Sequence, residues 1–440
     1  MNIYLETYGC QMNEYDSELI LSILKKADHQ IVQSADEADV AFLNTCAIRE
    51  NAHKKIYHRL DEMRGRKKRG QKLVVGVLGC MAQSLREELK DNAPVVDIIA
   101  GPDSYKRLPG LISEACGGDT GYDLSLSEYE TYSDVAPVRV PGVNAWIAIM
   151  RGCDNFCTFC VVPYTRGRER SRSPQNIVEE TQAIVAQGFK QVTLLGQNVN
   201  SYKYGNYDFA DLMKMVGDVP GIRRVRFTSP HPKDFPLKLL QVMKDHPKLC
   251  NQIHLPLQSG STEVLDRMNR TYSKQEFLDV VNVIRDTIPN VSLSTDIICG
   301  FCGETEQDFQ DTVDVVEQVG FDSAFIFKYS ERKNTIASRK FPDDVSEEIK
   351  TERVKKLVEI QRAISLARNE KEVGKTFDVL IEQPSKKNRE EWLGRSDHNK
   401  GVVFAAPQHK PGDFVKVKIT SAGTHTLRGE IVTPAIAFCV

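Results

Sequence analysis

The run Ala145-Trp146-Ile147-Ala148-Ile149-Met150-Arg151-Gly152-Cys153-Asp154-Asn155-Phe156-Cys157-Thr158-Phe159-Cys160 decides how this 440-residue chain is read. Its first six residues are apolar and read as a buried strand. Three cysteines follow at once, spaced Cys-x-x-x-Cys-x-x-Cys. Three thiolates from one short loop can hold three irons of a cubane cluster and leave the fourth iron without a protein ligand. A structural zinc would need a fourth Cys or His close by, and the sequence has none there. An open iron can bind a substrate as the open position of a catalytic zinc does. The loop also follows the carboxyl end of a strand, where β/α barrels place their chemistry.

Outward from this run, strand and helix patterns alternate. The strand candidates are Ala145–Met150, 191–195, Arg223–Thr228, Gln252–Leu257, Val291–Ile298 and Ala324–Tyr329. Ser173-Pro174 and the Ser273/Glu276 capping box start helices, and Gly188 and Gly320 sit where helices end. Six such units predict a partial (β/α)6 barrel over residues 142–372, closed by a long charged helix near 346–372. Upstream, 1–118 alternates strands Ile3–Tyr8, Val40–Asn44, Leu73–Leu78 and Val95–Ala100 with helices, which predicts a Rossmann-like parallel sheet. A polar stretch from Gly117-Gly118 to Pro137 and Pro141 predicts a linker over 119–141. Beyond Gly374, short strands separated by turns such as Pro411-Gly412-Asp413 predict a small OB-like β-barrel over 373–437. The fold class expected is therefore α/β with an appended β-barrel.

Composition is that of an ordinary globular protein, 41% hydrophobic and 27% charged. No stretch of 18 apolar residues occurs and no secretory pattern precedes the first strand, so no membrane span and a cytoplasmic location are expected. Eleven cysteines in such a chain point to metal ligation rather than disulfides. The net charge of −2 offers nucleic acid no general attraction. Local charge does: residues 54–72 carry nine Lys or Arg against two acids, and Arg166, Arg168, Arg170 and Arg172 crowd one loop. Taken alone, such a run reads rather as a solvated helix or loop face.

A second cysteine set is Cys10, Cys46 and Cys80. Each closes a predicted parallel strand, and loops at the carboxyl ends of one parallel sheet converge. The set reads as a second three-thiolate site with one free iron, against the alternative of buried core cysteines. Polar residues mark the other strand ends of the barrel: Gly196, Gln197 and Asn198 on the second, Ser229 on the third, Gln258 on the fourth, with Asp296 inside the fifth. They suit a polar ligand over the barrel mouth. Cys299 and Cys302 form a further C-x-x-C beside Gly300 and Gly303, readable as a redox pair or as small side chains in a tight turn. Cys116, Cys250 and Cys439 carry no assigned chemistry, and His231 reads as structural.

With Phe159 before its last cysteine, the triplet resembles the signature of the radical S-adenosylmethionine superfamily. Thr7-Tyr8-Gly9-Cys10-Gln11-Met12-Asn13, Asn44-Thr45-Cys46-Ala47-Ile48-Arg49-Glu50, Gly79-Cys80-Met81-Ala82-Gln83, Leu195 through Tyr202 and Thr228-Ser229-Pro230-His231-Pro232 resemble the methylthiotransferase family. The carboxyl-terminal barrel resembles the TRAM domain, an RNA-binding module. The resemblance spans essentially the whole chain. Gln11-Met12-Asn13 and Arg49-Glu50 resemble the MiaB-type branch, which acts on isopentenylated adenosine in tRNA. Lys333-Asn334 stands where the family more often has Pro-Gly.

The resemblance implies two 4Fe-4S clusters, one on Cys153, Cys157 and Cys160 and an auxiliary one on Cys10, Cys46 and Cys80. It implies S-adenosylmethionine in two roles, with Phe159, Gly196, Gln197, Ser229, Gln258 and Asp296 as its contacts. One molecule gives a methyl to sulfur on the auxiliary cluster; the other yields the 5′-deoxyadenosyl radical that takes hydrogen from carbon 2 of the adenine. The implied partners are a tRNA anticodon stem-loop and an unidentified electron donor, and the expected state is a monomer. Alternatives are the same chemistry on threonylcarbamoyl-adenosine or on a ribosomal protein aspartate, and a non-catalytic RNA-binding iron–sulfur protein. Truncation near Gly374 is expected to weaken tRNA binding and leave cluster content intact.

Overall fold

Apolar runs buried on both faces build the amino-terminal sheet. In the computed structural model, which describes residues 1–47 and 50–432, its six strands are β1 (Asn2–Tyr8), β2 (Gln30–Ile31), β3 (Val40–Thr45), β4 (Val74–Gly79), β5 (Ile98–Ala100) and β6 (Gly121–Asp123). All pair in parallel, in the order β2-β1-β3-β4-β5-β6. Every residue of β3 is buried. Val40 and Phe42 pack into one hydrophobic cluster, Ala41 and Leu43 into the cluster on the opposite face. That two-sided burial explains why this strand reads as a continuous apolar run. Helices α1 (Gln11–Lys26), α2 (Glu50–Lys68) and α3 (Cys80–Leu85) follow β1, β3 and β4. Ile48, Arg49 and Cys439 lie outside the described residues.

The chain divides into two compact units. One holds Met1–Val140, Trp146–Glu180 and Leu195–Gln197; the other holds Pro141–Ala145, Thr181–Leu194 and the chain from Asn198 onward. The stretch 119–141, expected as a linker, belongs to the first unit in all but Pro141. It supplies edge strand β6, the fully buried Tyr132, and Arg139, whose guanidinium bonds Glu18 Oε2 at 2.5 Å and also pairs with Glu180. Turn-rich polar sequence misled here because Tyr132 hydrogen-bonds main-chain groups at Pro102 and Tyr105 that the sequence does not place beside it.

The six strands after the linker fall at Asn144–Ala148, Gln191–Leu195, Arg224–Phe227, Gln252–His254, Ser292–Cys299 and Ser323–Lys328. The expected succession of β/α units is present. Within the second unit, Gln191–Leu195 pairs in parallel with Arg224–Phe227, and Ser292–Cys299 with both its neighbours. A parallel bridge between Val225 and Leu249 connects the third and fourth strand regions. Ser273 and Glu276 form the capping box read from sequence, and Gly320 ends its helix at φ 57°. Asn334 adopts φ 67°, the left-handed turn that Gly would take and Asn tolerates. The long helix is Glu347–Glu370, capped by Ser346.

The last strands, Thr376–Pro384, Glu391–Arg395, Gly401–Ala405, Phe414–Ala422 and Thr426–Ile431, form a closed five-stranded barrel. Val379, Ile381, Val402, Phe404, Val417 and Leu427 fill its interior. The barrel and the core from Asn198 onward belong to one compact unit. Arg224 donates to the main-chain oxygens of Arg395 and Asp378, and Arg226 to those of Asp397 and Ser396. Both arginines are buried, and Arg224 also stacks 4.9 Å from the Phe414 ring. Among the described residues no helix is long and apolar enough to cross a membrane.

Candidate metal centre

Parallel register brings the first cysteine set together. Tyr8 pairs with Thr45, and Thr45 with Gly79, so Cys10, Cys46 and Cys80 leave the same ends of three adjacent strands. Neighbouring strands lie about 5 Å apart. Two glycines allow the loops to approach. A Cβ on Gly9, at φ 138°, would sit 2.5 Å from Cys46 Cβ, and one on Gly79, at φ 85°, 2.5 Å from Asn44 Oδ1. Beneath them two fully buried asparagines lock the loops: Asn44 Nδ2 donates to Asn13 O at 2.9 Å, and Cys10 Sγ to Asn13 Oδ1 at 3.3 Å. Cys46 N donates to Tyr8 O at 3.1 Å.

Cys10 caps α1. Its thiol is pulled down to about 6 by a hydrogen bond from Cys46, helped by Arg166 and backbone N–H groups against the cost of burial. Burial pushes Cys80 up, with Arg166 opposing. The two thiols thus differ although they share a cation.

The triplet loop lies in the same unit. Gly152, at φ 81°, sits so close to the main chain at Arg168 that a Cβ would lie 1.9 Å from that residue's carbonyl oxygen. Its N–H donates to Gln197 Oε1 at 2.7 Å, and Cys153 N donates to Gly167 O at 3.2 Å. Cys153 and Cys157 are buried, and Phe159 and Cys160 half-buried. We expect Gly152→Ala to open this loop, because main chain cannot yield to the new methyl. Iron per chain after reconstitution should fall, and wild-type iron content in that variant would contradict this account.

The two cysteine sets are physically coupled. Val161, next to Cys160, packs with Cys80 and Ala47, and the short helix Val162–Arg166 lies on α3. Behind both, Asp16 is fully buried between Arg151 Nη2 at 2.6 Å and Arg166 Nη2 at 2.7 Å. Despite burial, the two guanidinium groups hold its carboxyl below the usual range. Removing one partner of such a buried pair costs about 3–5 kcal/mol.

The loop of arginines is therefore corrected from a surface patch to an interior network. Arg170 bonds Asp103 Oδ2 at 2.8 Å, Arg172 bonds Glu180 Oε2 at 2.6 Å, and Arg168 alone of the four is exposed. The basic run at 54–72 does face outward: Lys55, Lys68, Arg69 and Lys72 are exposed.

Among the described residues no three His, Cys, Asp or Glu side chains are set around one metal ion. A cubane spreads its thiolates over separate irons, so they need not converge on one point. The donor chemistry fits: each set offers three thiols, largely withdrawn from water, and glycine replaces any side chain that would fill the space.

In the second unit, Ser229 and Gln258 take left-handed backbone, φ 60° and 66°. Non-glycine residues in this region collect at functional sites. Gln258 N donates to Asp296 O at 2.8 Å, and the Asp296 carboxylate meets His254 Nε2 at 3.1 Å. Asn198 keeps a buried Oδ1 without a hydrogen-bond partner. Gln197 already serves Gly152. His231 is driven down to about 3 by burial and by Arg270 and Lys233, so it is neutral, and its Nδ1 accepts from Lys233 N. Cys299 and Cys302 are buried thiols raised by burial, which suits the tight-turn reading. Asn13, Asn44, Asp16 and His254 were not singled out from sequence; the first two stand inside the quoted motifs, which is the one signal that marks them.

Fold and triplet define a radical S-adenosylmethionine protein, and the radical SAM superfamily model matches residues 147–316; an uncharacterized protein family, UPF0004, matches 2–101 and the TRAM domain 370–432. Among solved structures, the radical S-adenosylmethionine methyltransferase TsrM from Kitasatospora setae matches with a TM-score of 0.54 at 14% identity, covering 74% of this chain and 72% of its own. Curated relatives called tRNA-2-methylthio-N(6)-dimethylallyladenosine synthase include that of Phocaeicola vulgatus, 46% identical over 98% of this chain and 96% of its own length. That of Chloroherpeton thalassium is 48% identical over 97% and 95%. The chain belongs to the tRNA-2-methylthio-N(6)-dimethylallyladenosine synthase family.

Proposed function

We propose that this chain methylthiolates carbon 2 of N6-isopentenyl (dimethylallyl) adenosine beside the anticodon of tRNA. The observation carrying the reading is the gathering of all six motif cysteines in one compact unit, with Val161 of the triplet loop against Cys80 of the other set. On this reading the two sets hold two 4Fe-4S clusters, which together with S-adenosylmethionine supply the radical and the methylated sulfur. Residues 1–118 present the auxiliary site, 142–372 the radical site and 373–437 the RNA grip. Phe159, Gly196, Ser229, Gln258 and Asp296 are assigned to S-adenosylmethionine, and Gln197 to holding the cluster loop against it. An external electron donor is required.

Extracting a hydrogen from an adenine ring carbon demands that the base leave its stack. Phosphate contacts then hold the RNA while the base is out. The exposed Lys55, Lys68, Arg69 and Lys72, and Lys386, Lys387 and Arg389 on a barrel loop, are placed to make them. The triple change Lys386→Ala, Lys387→Ala and Arg389→Ala should weaken tRNA binding and flatten its salt dependence by up to about one unit of slope for each phosphate no longer neutralised. An unchanged slope would remove this loop from the interface.

The substrate assignment is tested by mass spectrometry of tRNA nucleosides from a deletion strain, and by assay on tRNA with and without the isopentenyl group. Loss of the methylthio nucleoside and accumulation of its isopentenylated precursor are expected. Equal activity on unmodified tRNA would sink the assignment.

A further inference from the structure

Arg166 ends the helix that follows the triplet loop, yet its charge lies beside the other cysteines. Asp16 is shared by two arginines, so one acid faces two cations in a region closed to water. The two arginines are not equivalent. Arg151 lays the face of its guanidinium over the Tyr132 ring, its carbon 4.6 Å from the centroid, while its Nε and Nη1 are buried without a hydrogen-bond partner among the described residues. The Nη1 of Arg166 is buried without a hydrogen-bond partner among the described residues. Native proteins rarely leave such a donor unsatisfied, and each case calls for a missing acceptor. After Asp16, the Cys80, Tyr105 and Cys10 side chains favour the charged guanidinium against burial. Nη2 is held by Asp16, and the helix that ends in Arg166 lies on α3, which begins at Cys80.

We propose that Arg166 is a positioning residue that donates its free N–H to sulfur of the cluster held by Cys10, Cys46 and Cys80. The inference rests on the two-cluster reading. A fixed cation and a hydrogen bond at cluster sulfur favour the reduced, more negative state, so they raise the reduction potential. Arg166 would also tie the auxiliary site to the radical loop, since it belongs to the helix immediately after Cys160.

The experiment uses the full chain with Cys153→Ala, Cys157→Ala and Cys160→Ala, in which a single cluster contributes signal. Iron per chain and a spectroscopic redox titration are measured for this host, then with Arg166→Lys and Arg166→Gln added. Arg151 still neutralises Asp16 in both, so neither leaves an uncompensated buried carboxylate. Expected is host-level iron with a midpoint shifted to more negative potential in Arg166→Gln, and an intermediate shift in Arg166→Lys. Iron retained with an unchanged midpoint would show that Arg166 serves Asp16 alone and overturn the inference. Should Arg166→Gln not fold, Arg166→Lys decides, and a midpoint equal to the host's overturns it. A host without iron overturns the two-cluster reading and this inference with it, so the two failures are distinguishable.

Discussion

Replacing Cys153, Cys157 and Cys160 by alanine is expected to abolish 5′-deoxyadenosine formation while S-adenosylhomocysteine still forms. Replacing Cys10, Cys46 and Cys80 should do the reverse: deoxyadenosine persists, uncoupled from tRNA, and no methylthio product appears. On the two-cluster reading each triplet would leave one iron unligated by protein, one set following a barrel strand while the other closes a parallel sheet. Each triple variant should lose about half the iron if the clusters have equal nuclearity. Neither change removes Asp16, Arg151 or Arg166, so the buried network behind the sites stays intact. Iron, deoxyadenosine and homocysteine product are quantified side by side. A Cys10/Cys46/Cys80 variant that keeps full iron and still thiolates tRNA would return those cysteines to the hydrophobic core.

The second large effect concerns the carboxyl-terminal barrel. Cutting the chain near Gly374 removes every acceptor of Arg224 and Arg226 named above, and the ring under Arg224. Hydrogen bonds from charged donors contribute about 1.5–3 kcal/mol each, and buried charges left alone cost about 3–5 kcal/mol. Some of that is recovered when the exposed strand takes up water. A loss of several kcal/mol remains, a large share of the roughly 5–15 kcal/mol typical of a folded protein. The truncated chain should therefore unfold at clearly lower denaturant, and the simple expectation of weakened RNA binding with an intact core is revised. Matching unfolding midpoints for the full and truncated chains would show that the arginines are indifferent to the barrel. The loop variant at Lys386, Lys387 and Arg389 is the cleaner probe of RNA binding, since those side chains are exposed.

Much of the architecture is legible from residues because its cause is local. Apolar runs and turn chemistry mark the strands, and cysteines at strand ends mark both candidate sites. What escapes is long-range pairing of charge. Arg166 and Asp16 are 150 residues apart, and Arg170 and Asp103 are 67 apart. In sequence the four alternate arginines look like a solvated loop; in space three of them neutralise acids, two of which, Asp16 and Asp103, come from distant segments. The same blindness turned 119–141 into a linker, since the partners of Arg139 and Tyr132 are set by tertiary packing alone.

The reach of Arg224 and Arg226 also bears on how the chain is made. Their acceptors on the barrel lie 154 to 171 residues downstream. At roughly 5–20 residues per second, a ribosome needs on the order of ten to thirty seconds to deliver them. For that interval the nascent strand carries two guanidinium groups whose barrel partners do not yet exist, although Gln191 is already there for Arg226 Nε. This face of the core can close only when the end of the chain emerges, which makes its assembly an event of late or completed translation.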